Sequence, residues 1–338
     1  MIAIDNVGSS EAEPPRRRWV LLLLLLVLIY GSHAPLISLT KVDGHVPFSP
    51  SSCVVLIEFT KLLVSFVSLV ASGNLSALKV SVSVVTVAPY AIPAVLYAFN
   101  NNLVVFMQAY MDPSSFQVLS NLKIVSTALL YTSCLGKRLR RGQWFALGLL
   151  VAAGVCHSYS GLDWEPIGDE STSRLHITSW GLLLVLVYCF ISGLAAVYTE
   201  RVLKTQRLPL SLQNLFLYIF GVAINLASHL SSSGDRQQGF LEGFSTLVWL
   251  IIAGQAANGL LMSVIMKHGT GITRLFVISS AMLVNGVLSW GLLGIELTPY
   301  FLFPVVLIGW AVYLYYSMCP EISVCRLCPH SRSASYCE

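Results

Sequence analysis

Charge is what this chain has least of. Asp, Glu, Lys and Arg make up only 11% of its 338 residues, against 55% hydrophobic side chains and a mean hydropathy of +0.74. A soluble core of that size cannot bury so much apolar surface, so a water-soluble globular protein is excluded and the bilayer must act as the solvent. Spacings that carry metal or nucleophile chemistry are missing too. His33, His157, His229 and His268 are scattered with no HExxH-like pattern, which argues against a membrane enzyme and gives no cofactor or metal to expect. Nucleic acid is not an expected partner either, because the net charge is only +4 and the cations sit in short clusters beside apolar runs.

What the chain does have is apolar runs of about 20 residues, each able to cross a hydrocarbon core of roughly 30 Å as a helix. Read against breaks of Gly, Pro, Ser and charge, they predict ten spans, at about 18–40, 52–72, 82–108, 114–135, 143–160, 178–200, 211–230, 240–266, 272–295 and 298–317. Arg16–Arg18 followed by a leucine run resembles a secretory leader, but the run continues past His33 and Pro35 to Leu39 and further spans follow, so we read it as the first anchored helix.

With a cytosolic N-terminus, fourteen of the twenty Lys and Arg fall on the cytosolic side, among them Lys137, Arg138, Arg140, Arg141, Arg201, Lys204 and Arg207; Lys41, Arg174 and Arg236 fall on the other. A wrong span count would scramble that asymmetry. The expected organisation is a cytosolic tail (1–17), a five-helix half (18–160), a lumenal loop (161–177) carrying Asp163, Glu165, Asp169 and Glu170, a second five-helix half (178–317) and a cytosolic tail (318–338). Because five is odd, homologous halves would be inverted, the plan by which many secondary transporters alternate access. The one N-x-S/T site, Asn74-Leu75-Ser76, falls on the cytosolic side and is expected to carry no glycan.

An ionisable residue within a span costs about 2.5–3.5 kcal/mol on insertion scales, so it faces a cavity or a partner. Glu58 and Lys61, three apart on the second span, can neutralise each other, as a structural pair or as part of a transport site. Lys123 in the fourth span has no carboxylate within a turn, which suits an external anion such as phosphate, with snorkelling or a distant acid as the alternative. Arg274 holds a comparable place in the second half; with Lys123 it would clamp a diphosphate, unless it is a cytosolic-edge arginine. Tyr97 and the amides Asn100, Asn101 and Asn102 in the third span, and Asn214 with Tyr218 four residues on in the seventh, suit either a nucleotide base or helix packing by hydrogen bonds.

The stretch LYAFNNNLVVFMQAYMDPSSFQVLSNLKIVSTAL resembles the third and fourth helices of the nucleotide-sugar transporters (solute carrier family 35, subfamily A), which include the CMP-sialic acid and UDP-galactose carriers; EFTKLL, SGLAAVYTERVLK, QNLFLY and MKHGTGITRLF also match, in order, over most of the chain. The resemblance implies an all-α membrane protein of the drug/metabolite transporter fold, in which about ten helices form two inverted repeats. It further implies a Golgi antiporter, exchanging a cytosolic pyrimidine nucleotide sugar, UDP- or CMP/CDP-linked, for a lumenal nucleoside monophosphate. It places Lys123 on the family's phosphate-binding lysine, Tyr97, Asn101 and Asn102 on the substrate motif, and Asn214 and Tyr218 on the base-contacting pair; Gln117 lies in the matching stretch of the fourth helix. The sequence departs from the pattern in having Arg274 for a second lysine, Phe116 for a tyrosine, Ser120 and Asn121 for a Tyr–Gln pair, and Asn100 for a glutamine. Those changes leave base and sugar unnamed and keep in view a non-transporting scaffold that binds related transporters or glycosyltransferases, and with it homo- or hetero-oligomers.

Pro89 and Pro93 bend or hinge the third span. In the tail, Cys325 and Cys328 with His330 form only a fragment of a zinc-knuckle pattern and serve equally for palmitoylation or for nothing.

Overall fold

The computed structural model describes residues 16–42, 45–73, 83–107, 110–111, 113–160, 178–231, 239–294 and 299–317. The fold is all-α: α1 (Arg16–Thr40), α2 (Pro50–Ala71), α3 (Ala91–Met107), α4 (Pro113–Ser120), α5 (Lys123–Leu135), α6 (Arg141–Ser160), α7 (Ser179–Thr205), α8 (Leu210–Ser231), α9 (Thr246–His268), α10 (Gly271–Leu293) and α11 (Leu302–Ser317). A helical turn, Val84–Val87, and a 3-10 turn, Ala88–Tyr90, lead into α3; another 3-10 turn, Pro299–Phe301, leads into α11. Local chemistry fixes these ends. Ser49, Thr178 and Thr270 cap α2, α7 and α10 by accepting from Ser52, Gly181 and Thr273 N–H, and Pro50 sits at the first helical position of α2. Gly136 (φ +64) and Gly294 (φ +67) end α5 and α10 in the left-handed conformation that glycine adopts without steric cost.

Eight helical stretches are long and apolar enough to cross a membrane. The other two expected spans are α6, 20 residues long but carrying Gln143 and His157, and α11, apolar but 16 residues long. These two pack on each other, burying Leu147, Leu150, Ile308 and Ala311 in one apolar cluster. Elsewhere large apolar side chains face outward, among them Leu21, Leu28, Phe59, Phe66, Phe145 and Trp310, each at least 45% exposed, as a lipid-facing surface requires.

The packing repeats after five spans. α1 packs on α9 and α10, and α7 packs correspondingly on α3 and α5; α2 against α9 is matched by α8 against α3; α2 meets α8, and α6 meets α11, across the pseudo-symmetry axis. The glycine stops of α5 and α10 also occupy matching places. Two five-span halves of opposite orientation give this pattern.

Three boundaries differ from the sequence reading. The fourth span is not one helix but two, α4 and α5, broken at Asn121–Leu122, where the Asn121 amide donates to the Gln117 and Val118 carbonyls (3.0 and 3.2 Å) and its side chain fills the space over Gly154. The side chain thus satisfies carbonyls that a continuous helix would have used. α7 runs on to Thr205, supported by the Glu200–Lys204 pair at 2.8 Å, whereas the sequence suggested a stop near 200. The eighth span begins at Thr246 rather than near 240, because Gly239–Phe244 forms turns that lie against Pro47. Asn74, the loop at 161–177 and the tail cysteines Cys325 and Cys328 lie outside the described residues.

Candidate functional site

Between the halves, α1, α2, α3, α7, α8, α9 and α10 line a cavity of about 270 Å³. Its wall carries three charges, Glu58, Lys61 and Arg274; three tyrosines, Tyr30, Tyr97 and Tyr218; and three amides, Asn101, Asn225 and Asn258. Each helix gives this wall one polar face while its opposite face stays apolar toward lipid, the usual arrangement where a membrane protein keeps polar groups.

Glu58 and Lys61 form the expected pair, Nζ to Oε1 at 2.6 Å, and Lys61 also sits 4.5 Å from the centre of the Tyr218 ring. The pair fits because its neighbours are glycines: a Cβ on Gly221 of α8 would meet Glu58 Oε2 at 2.6 Å, and one on Gly259 of α9 would meet Lys61 Cδ at 2.7 Å. Tyr218 in turn shares a 3.0 Å hydrogen bond with Ser263 on α9. The ion pair, the ring and the hydroxyl tie α2, α8 and α9 into one side of the cavity.

Arg274 forms the other side. Its Nη1 donates to Tyr97 Oη at 3.3 Å, its guanidinium carbon lies 5.8 Å from the Tyr97 ring centre, and its buried Nε has no hydrogen-bond partner. Lys123 stands beside the cavity wall, as the first residue of α5, close enough to Arg274 for the two cations to repel. Neither cation has a carboxylate partner among the described residues, where the ion pairs are Lys61–Glu58 and Lys204–Glu200. Two cations without a carboxylate partner, one in the wall and one beside it, suit an anion carrying more than one charge.

The structure therefore brings together Tyr97, Asn101, Tyr218, Arg274, Glu58 and Lys61 around one cavity, with Lys123 within electrostatic reach of Arg274. It separates the rest. Asn102 is exposed and donates back to Ala98 O at 2.8 Å, and Gln117 on α4 is exposed. Asn100 is buried against Tyr188 of α7. Asn214 lies one turn from Tyr218 but opens into a neighbouring groove of about 400 Å³ with Ser65, Ser68, Ser211 and His268, its Oδ1 buried without a partner. Sequence reasoning missed Tyr30, Asn225 and Asn258, because single polar residues in apolar runs carry no spacing signal. The small residue flanking Asn258, Gly259, was the available hint.

A profile of the nucleotide-sugar transporter family matches residues 18–316. The chain is 73% identical over 94% of its length to a zebrafish (Danio rerio) protein named "Probable UDP-sugar transporter protein SLC35A4", all of which is covered, and 56% identical over 86% of its length to the Xenopus tropicalis protein of that name, 90% of which is covered. The human protein of the same name is 52% identical over 85% of this chain and 90% of its own. A solved crystal structure, 14% identical, superposes with a TM-score of 0.68 over 91% of this chain and 99% of the other, which shows a shared fold. The match across nearly every span, joined to the all-α membrane fold, places the chain in the nucleotide-sugar transporter family.

Proposed function

We propose that the chain is an antiporter of the Golgi membrane, with both termini cytosolic, that exchanges a cytosolic pyrimidine nucleotide sugar, UDP- or CMP/CDP-linked, for a lumenal nucleoside monophosphate. The observation that carries the reading is the pair of unneutralised cations, Arg274 in the cavity wall and Lys123 beside it, contributed by the fourth and ninth spans of the inverted halves. In this reading they hold the phosphates, Tyr97 and Asn101 line the path of the sugar, and the Tyr218 ring, braced by Lys61, receives the base. Family membership supports the substrate class, and the names of the relatives support a UDP-linked sugar.

Counterflow into liposomes holding the purified protein tests it. Preloaded UMP or CMP should drive uptake of labelled nucleotide sugar, and Lys123→Ala should abolish uptake. Absence of exchange across all bases with folded protein would overturn the reading. A non-transporting scaffold for related transporters is the second reading. Ser120 and Asn121 favour it, standing where the resemblance expects a Tyr–Gln pair, as does a cavity smaller than the roughly 300–1,000 Å³ of typical ligand sites.

A further inference from the structure

At one end of the molecule, two adjoining sets of polar contacts tie α7, α8, α9, α10 and the lead-in to α3 into a network. Glu200 of α7, 1% exposed, accepts from the Gly271 N–H at the start of α10 (2.6 Å) and from Lys204 Nζ (2.8 Å). Lys204 also donates to the Gly269 carbonyl between α9 and α10. Lys267 at the end of α9 donates to Leu203 O (2.5 Å), Gln206 O (3.2 Å) and Gln213 Oε1 (3.3 Å), bonding carbonyls at the end of α7 and the side chain of a residue in the first turn of α8. Gln206 completes the ring, accepting from Tyr90 Oη (3.2 Å) and donating to Thr86 O (3.2 Å) in the lead-in to α3.

The network adjoins the cavity, although none of its own residues lines it. Thr199, Met266 and Arg274 line the cavity, and they adjoin Glu200, Lys267 and Gly271, respectively next in sequence, next in sequence and one turn away. The opposite end has nothing comparable among the described residues: its contacts between spans include Thr178 Oγ1 to Tyr110 O (3.0 Å) and Ser51 Oγ with His229 Nδ1 (2.6 Å), with no ion pair. The count of Lys and Arg assigns the networked end to the cytosol.

We propose that Glu200, Lys204 and Lys267 form a charged latch that closes the cavity toward the cytosol, and that Glu200 is a positioning residue which, through Gly271, sets Arg274. The inference rests on the transport reading for its purpose, though not for its test. Charge suits such a latch. Closed, the carboxylate is satisfied by an ammonium and by the dipole of α10; opened, the same groups take water in their place, so the two states differ by little. Arg274 lies one turn beyond Gly271, so an anion drawn to Arg274 shifts the turn that Glu200 holds. Gly271 belongs to the device, because a Cβ there would meet Glu200 Oε2 at 2.9 Å.

The test uses full-length protein in sealed vesicles of known orientation, with Met266→Cys as reporter and a charged, membrane-impermeant thiol reagent as probe, labelling being read at residue 266 by peptide mapping so that the native cysteines do not count. Glu200→Gln should raise the rate of labelling from the cytosolic face about tenfold or more, by shifting a two-state equilibrium, and leave labelling from the other face unchanged or slower. Gly271→Ala, which disturbs the latch without changing charge, should do the same. Unchanged labelling in both variants, with thermal melting showing them folded, would overturn the latch, as would a rise confined to the opposite face. Failure of nucleotides to alter labelling in the unmodified latch, with the variants behaving as stated, would count against transport while leaving the latch in place.

Discussion

The two charged sides of the cavity are built on opposite principles. On one side Glu58 and Lys61 neutralise each other at 2.6 Å and fit against Gly221 and Gly259. On the other, Arg274 and Lys123 lie within electrostatic reach of each other with no ion-pair acid among the described residues, and the guanidinium donates to the Tyr97 hydroxyl. A paired charge is satisfied before any ligand arrives, so its work is to hold helices and the Tyr218 ring. An unpaired one remains costly until something anionic joins it. Low overall charge makes the contrast sharper, since few ionisable groups remain inside the described spans to complicate it.

Substitutions that break the contrast should rank by how much burial each leaves uncompensated. Glu58→Ala strands Lys61 among α2, α8 and α9 and should destabilise the protein by about 3–5 kcal/mol, read as a fall in melting temperature. Arg274→Ala should leave the melting temperature unchanged or higher, because it removes a repulsion, yet weaken nucleotide binding by about 1.5–3 kcal/mol, or roughly 10–100-fold in Kd. Arg274→Lys keeps the charge but loses the fork and the stacking on Tyr97; a loss of about 1 kcal/mol is expected in a titration with nucleoside monophosphate. At the small end, Asn102→Ala removes an exposed amide bonded to its own helix and should change exchange by less than about 0.5 kcal/mol.

Much of this was legible in the sequence because the bilayer leaves few alternatives. Apolar runs, lopsided cations and the odd number of spans per half define the ten-helix, two-half plan, and Glu58, Lys61 and Arg274 stand out as charges where charge is expensive. The break at Asn121 was not legible, since an asparagine in an apolar run reads the same whether it bonds to neighbouring helices or to its own backbone. Asn102 and Gln117, carried over by resemblance, face away from the cavity because a shared motif does not fix which side of a helix meets the cavity. Nor could sequence show that Glu200, Lys204 and Lys267 converge: Lys267 lies 61 positions or more from the α7 carbonyls it binds, and only the packing of α9 on α7 brings them together.

The most direct test of the central claim, that Arg274 and Lys123 await an anion, is equilibrium binding of UMP and CMP against uridine and cytidine to the purified protein and to Lys123→Ala. The account predicts that the monophosphate binds about tenfold or more tightly than its nucleoside, as one charge-assisted contact requires, and that the advantage disappears in the variant. Equal affinities for nucleotide and nucleoside in the unsubstituted protein would contradict it.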